Sequence, residues 1–119
     1  MLPRRERLTR SGAFRAVVAR GRSFRGRFLA LYFLPRSSGP TRLGVAAGKK
    51  VGGAVQRNRA KRLLREAFRG LKEKLDGAYY VVLVARPAAA RAGLDAVRTE
   101  LESLMWRARI VARPAGESS

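Results

Sequence analysis

The 119-residue sequence predicts an α+β sandwich in which helices lie against a single sheet. Three observations point to it. A helix-period apolar stripe runs from Ala60 to Leu71. A short, continuous, β-branched run, Tyr79 to Ala85, reads as a strand buried on both sides. The elements also succeed one another as helix, strands, helix, strand, helix, with no internal repeat or domain linker between them.

Taken in order, Ser11 is placed to cap a short helix over residues 12–20, with Phe14, Val17 and Val18 on one side and Gly21 as its stop. An extended aromatic and aliphatic run follows from Phe24 to Leu34. Pro35-Arg36-Ser37-Ser38-Gly39-Pro40 is a turn by composition, and a strand over Thr41 to Ala47 is expected to complete a hairpin across it. In the central helix Ala60, Leu63, Leu64, Ala67, Phe68 and Leu71 share one face. Asn58, Lys61, Arg62, Arg65 and Arg69 lie opposite on a wheel of about 100° per residue. Asp76-Gly77 is a plausible stop, and Arg86-Pro87 closes the strand that follows. A last helix, roughly Leu94 to Ala108, puts Leu94, Val97, Leu101, Leu104, Met105 and Ala108 on one stripe. The chain reads as one domain, 1–119, with a loose tail over about 110–119.

Charge dominates the composition. Against 8 acidic residues stand 27 basic ones, 22 Arg and 5 Lys, for a formal net charge of +19. Self-repulsion on that scale calls for a polyanionic partner, nucleic acid or an acidic membrane surface. The apolar runs Phe28–Leu34 and Ala78–Ala85 fall far short of a spanning helix, and no signal-peptide pattern follows the basic start. There is no cysteine to form a disulfide or a thiolate metal site. A soluble cytoplasmic protein without a membrane partner is expected.

The inventory for catalysis is thin. The chain has no histidine, the side chain best suited to proton transfer near neutral pH. Its acids are Glu6, Glu66, Glu73, Asp76, Asp95, Glu100, Glu102 and Glu117. Two-metal cleavage needs carboxylates converging on ions about 4 Å apart. Glu100 and Glu102 point to different sides of a helix, and Glu66 and Glu73 suit a solvated face. Gly48-Lys49-Lys50 lacks the flanking residues of a phosphate-binding P-loop. No catalytic residue and no metal site are expected in this chain.

From Lys49 to Arg65 there are seven basic residues and no acid: Lys49, Lys50, Arg57, Arg59, Lys61, Arg62 and Arg65. A solvated face tuned for solubility would balance such a run with acidic partners a turn away. Here the cations oppose a well-formed apolar stripe, so the helix can dock on the sheet and present them together. The approach Gly48-Lys49-Lys50-Val51-Gly52-Gly53 leaves backbone N–H groups beside the helix start, where the helix dipole also favours phosphate.

The stretch from Gly48 to Phe68, with Lys49-Lys50-Val51-Gly52 and Arg57-Asn58-Arg59-Ala60-Lys61-Arg62 at its centre, closely resembles the signature of the bacterial ribonuclease P protein. The resemblance extends more loosely over residues 7–108, through Leu8, Phe14-Arg15-x-Val17, Gly21, Leu31-Tyr32, Gly44 and Ala85-Arg86-Pro87. It implies one mixed sheet of about four strands with three helices, ordered α-β-β-β-α-β-α like a ribosomal-protein domain. It also implies a left-handed strand–helix–strand crossover, against the usual preference. The implied activity is removal of the 5′ leader from precursor tRNA, with catalytic Mg²⁺ bound mainly by the RNA subunit.

The resemblance puts Lys49, Lys50, Arg57, Asn58, Arg59, Lys61, Arg62 and Arg65 on the face that binds the ribonuclease P RNA. There they would pair with phosphates, and Asn58 would reach a backbone or base edge. It puts Phe14, Val17 and Tyr32 in a cleft that holds the single-stranded leader of precursor tRNA. On the residues alone, Phe14 suits core packing, and Tyr32 suits either a buried strand or a stacking surface. Gly48 stands where many members carry Ser, and Val18 where an aromatic is frequent.

Three other readings remain at this stage. A small ribosomal or RNA-chaperone-type binding protein shares the charge and size but does not require the central signature. A DNA-binding helix module would place two helices around a tight turn, whereas strands precede the basic helix, so no DNA partner is expected. A stand-alone nuclease needs acid–base groups that this chain lacks.

Overall fold

The computed structural model describes residues 12–111. The expected Ser11 cap, the Leu8 match and the tail beyond residue 111 lie outside them. The elements are α1 (Gly12–Arg20), β1 (Arg22–Arg25), β2 (Leu29–Pro35), β3 (Arg42–Ala47), α2 (Ala54–Arg69), β4 (Tyr79–Ala85) and α3 (Leu94–Arg107). This is the expected α-β-β-β-α-β-α order. Strand β4 has the predicted boundaries, α3 stops one residue early, and α2 begins at Ala54, ahead of the apolar stripe that starts at Ala60.

The four strands line up as β1-β2-β4-β3. Strands β1 and β2 are antiparallel, as are β2 and β4, while β3 runs parallel to β4. This corrects the expected hairpin. The extended run from Phe24 to Leu34 itself folds back at Gly26-Arg27-Phe28 to make β1 and β2. The strand after Pro40 does not pair with β2, because β4 lies between them. The physical reason is burial. Val81, Val82 and Leu83 are each at most 1% exposed. A strand apolar on both faces belongs inside a sheet, not at its edge. Residues 36–41 therefore carry the chain past the place β4 will take.

Alternation along the strands separates two faces. Leu29, Leu31 and Phe33 of β2 join Val81, Leu83 and Ala85 of β4 in the main core, beneath Leu64 and Phe68 of α2 and Leu101, Leu104 and Met105 of α3. On the other face α1 seats Val17 against Val82, flanked by Phe14, Tyr32, Leu34, Tyr80 and Val84. Thus α2 and α3 cover one face fully, and α1 covers part of the other.

Tyr79 ties the start of β4 to the turn before it. Its ring meets Phe33 edge-on, with centroids 5.8 Å apart, and its hydroxyl donates to the Asp76 carboxylate. Burial first, then the hydrogen bond and charge of Asp76, push its pKa from the ordinary 10.0 up to about 12. Folding thus favours the protonated phenol. That contribution is complete below pH 10 and is lost as pH rises through about 12. The difference in phenolate absorbance between the wild type and Tyr79→Phe should show this late titration. Asp76→Asn should move it back towards 10.0.

Candidate RNA interface

The basic helix is entered through a short 3-10 turn, Lys49–Val51. Val51, 6% exposed, pins that turn to the core and leaves Lys49 and Lys50 facing solvent. Gly52 follows with φ 145°, a conformation that a side chain would strain. Gly53 then opens α2 in extended geometry with no side-chain cap. The first amides of α2 are left without the usual capping oxygen, a favourable place for an anion.

Ala60, Leu64, Ala67 and Phe68 are buried and hold α2 to the sheet and α3. On the other side Asn58, Lys61, Arg62 and Arg65, with Glu66, line one open hollow of ≈ 430 Å³. Four of the predicted side chains therefore converge. Glu66 accepts from Arg69 at 3.0 Å, which takes up the acid at the rim. Among the described residues no side-chain hydrogen bond or ion pair engages Lys61, Arg62 or Arg65. Arg57 is half-buried, and its Nε is enclosed without an acceptor.

Arg59 is placed differently. Its guanidinium donates to the carbonyls of Ala92 (2.8 Å), Ala90 (3.2 Å) and Ala89 (3.4 Å). It clamps the Pro87–Arg91 turn against α2 instead of joining the hollow. Arg59 falls off the sector shared by Asn58, Lys61, Arg62 and Arg65 on the helical wheel, so that separation was visible in the spacing. Its acceptors are distant in sequence and were not.

The second predicted group gathers on the face that α1 partly covers. Phe14, Val17 and Tyr32 belong to one cluster. Val17, 1% exposed, is the seat of the helix and has no surface to offer a ligand. Tyr32 lines an open hollow of ≈ 210 Å³ with Arg25, Ala30, Val84 and Arg86. Sequence reasoning missed Arg25 and Arg86 as its neighbours. Alternation along β1 and β2 would have put Arg25 on the Tyr32 face, had the reversal at Gly26 been recognised.

Several of the described acids serve the fold. Glu100 accepts three backbone amides, from Arg27 (2.9 Å), Phe28 (2.8 Å) and Leu29 (3.1 Å). Glu102 pairs with Lys74 at 2.8 Å. Among the described residues no group of three acidic side chains is arranged to hold a metal ion.

A family model described as Ribonuclease P matches residues 2–109. The ribonuclease P protein component of Symbiobacterium thermophilum is 45% identical over 102 residues, spanning 85% of this chain and 89% of its own. The solved RNase P protein of Staphylococcus aureus superposes with a TM-score of 0.78 at 27% identity, covering 90% of this chain and 98% of that one. That of Thermotoga maritima gives 0.75 at 29% identity, covering 87% and 97%. A sheet with α2 laid across its parallel pair, a cationic hollow on that helix and a match over nearly the whole length all lead to one assignment: the chain belongs to the bacterial ribonuclease P protein family.

Proposed function

We propose that this chain binds the ribonuclease P RNA through α2 and the 5′ leader of precursor tRNA through the α1 side of its sheet, in the cytoplasm. It thereby promotes removal of the leader. The observation that carries this reading is the hollow formed by Asn58, Lys61, Arg62 and Arg65. Three cations at one surface, unpaired by the protein's own acids, pair naturally with a phosphate backbone. Lys49, Lys50 and Arg57 extend the charge towards the open start of α2. The arginines supply planar forks for phosphate oxygens, and Asn58 both donates and accepts at a base or sugar edge. Arg59 contributes by fixing the turn after β4.

On the other face Tyr32 offers a ring for a leader base, and Arg25 and Arg86 flank it for the adjoining phosphates. Mg²⁺, held mainly by the RNA, supplies activation of the water that attacks the scissile phosphodiester. Among the described residues no three acids come together, and Glu66, Asp76, Glu100 and Glu102 already have partners in Arg69, Tyr79, the Arg27–Leu29 amides and Lys74, which supports assigning the ion mainly to the RNA.

The test is to add the chain to a bacterial ribonuclease P RNA at low Mg²⁺ and follow leader cleavage. Restored cleavage is expected. An RNA-chaperone or ribosomal role would leave the rate unchanged. Tyr32→Ala should weaken binding of leader-bearing tRNA by roughly tenfold, as expected for losing one stacked base. Mature tRNA should bind nearly as before. Equal losses for both would remove Tyr32 from the leader site.

A further inference from the structure

The end of α3 carries a residue in an unfavourable conformation. The Ile110 amide donates to the Met105 carbonyl at 3.1 Å, and the Arg109 amide to the Trp106 carbonyl at 2.9 Å. This crossed pair closes a helix through a left-handed residue, and Arg109 supplies it with φ 63°. Glycine usually holds such a position, because a Cβ there crowds the backbone. Arg109 is the one non-glycine residue with positive φ among the described residues. Ile110, 3% exposed, completes the apolar half of the stop. The stop explains Ile110, but glycine would serve it better than arginine does.

What the strained position presents is a cation at the rim of a second hollow. Arg109 lines a space of ≈ 590 Å³ together with Phe24, Trp106, Arg107 and Val111. Arg22 lies over the Phe24 ring, 5.4 Å from its centroid, and adds a third guanidinium nearby. Among the described residues, no side-chain hydrogen bond or ion pair engages the guanidinium of Arg107 or Arg109. Of the α3 acids, Glu100 is committed to the β1–β2 reversal and Glu102 to Lys74, while Asp95 sits in the first turn, at the opposite end of the helix from Arg107. The hollow lies beside β1, one edge of the sheet, whereas α2 packs towards β3 at the other edge. It is a separate surface.

We infer that the hollow lined by Phe24, Trp106, Arg107 and Arg109 is a second RNA-contact site that takes an unpaired nucleotide of a single strand. The base lies against the aromatic wall, and Arg107 and Arg109 hold the flanking phosphates. Retaining arginine where glycine is easier is then a stability cost accepted for binding. This inference rests on the reading of the chain as an RNA-binding protein, but not on α2 as its interface.

The chain contains a single tryptophan, so the emission of Trp106 reports on this hollow alone. The full chain is titrated with a hexaadenylate oligonucleotide while Trp106 fluorescence and the anisotropy of a labelled copy are read together. Saturable quenching is expected in the wild type, in Arg62→Glu/Arg65→Glu and in Arg109→Lys. Arg109→Gly should melt a few degrees higher, on the order of 3 °C, while quenching with roughly tenfold weaker affinity. Arg107→Ala/Arg109→Gly should weaken it further. Binding seen by anisotropy without quenching would overturn the site. So would quenching that survives Arg109→Gly unchanged but disappears in Arg62→Glu/Arg65→Glu. Quenching that appears only after residues 112–119 are removed would assign the hollow to the chain's own tail. Loss of both signals in the wild type would remove this site together with the RNA-binding reading.

Discussion

Reversing Arg62 and Arg65 together to Glu is expected to weaken binding to the ribonuclease P RNA by on the order of a hundredfold at moderate salt. Both side chains are exposed on the hollow of α2, and neither supports the fold. Each lost phosphate contact should lower the slope of log affinity against log salt by about 0.7–0.9, so the pair should flatten it by about 1.5. Melting should barely change, because reversing two charges brings the net charge from +19 to about +15 and relieves repulsion. Arg59 provides the internal contrast. Arg59→Ala removes hydrogen bonds to Ala90 and Ala92 and should lower stability by about 1–2 kcal/mol. The salt slope should stay close to that of the wild type. Filter binding across a salt series, beside thermal melts, separates the two outcomes. An unchanged slope in the double reversal would mean that RNA lies on another surface.

The contrast also shows what was legible in the sequence. Strong local periodicity was enough for α2 and β4, because a helix face or a doubly buried strand is specified by side chains close together in the chain. The same spacing separates Arg59 from Lys61, Arg62 and Arg65. Strand pairing is set by contacts far apart in sequence. Nothing between Phe24 and Ala47 announces that β4, more than thirty residues later, will enter between β2 and β3. The reversal at Gly26 was hidden for the same reason, since the group that stabilises it is 71 to 73 residues away. The face proposed for the leader was only half visible. Tyr32 could be placed through family likeness, but its arginine neighbours depend on the β1–β2 register.

That distant group yields the second large effect. Glu100→Ala is expected to lower stability by about 3 kcal/mol, a substantial share of the 5–15 kcal/mol typical of a domain. The Phe28 and Leu29 amides are part-buried and would lose their charged acceptor, while the Arg27 amide is exposed and can turn to water. Gly26→Ala should act through the same contact, because a Cβ there would come within 2.1 Å of Glu100 Oε1. Glu100→Gln keeps one acceptor but turns an amide donor towards backbone N–H groups, so it should fall between the wild type and Glu100→Ala. Urea unfolding should show a lower midpoint at an unchanged slope. The functional consequence follows from register. Arg25 pairs with Ala30 and Ser23 with Tyr32 across the reversal that Glu100 holds. Loosening it lets Arg25 drift from the Tyr32 ring without disturbing α2. Glu100→Ala should therefore erode preference for leader-bearing tRNA while leaving the salt slope of RNA-subunit binding intact. If instead both fall together, the two faces are not mechanically separable, and Glu100 serves the whole fold and not the leader side.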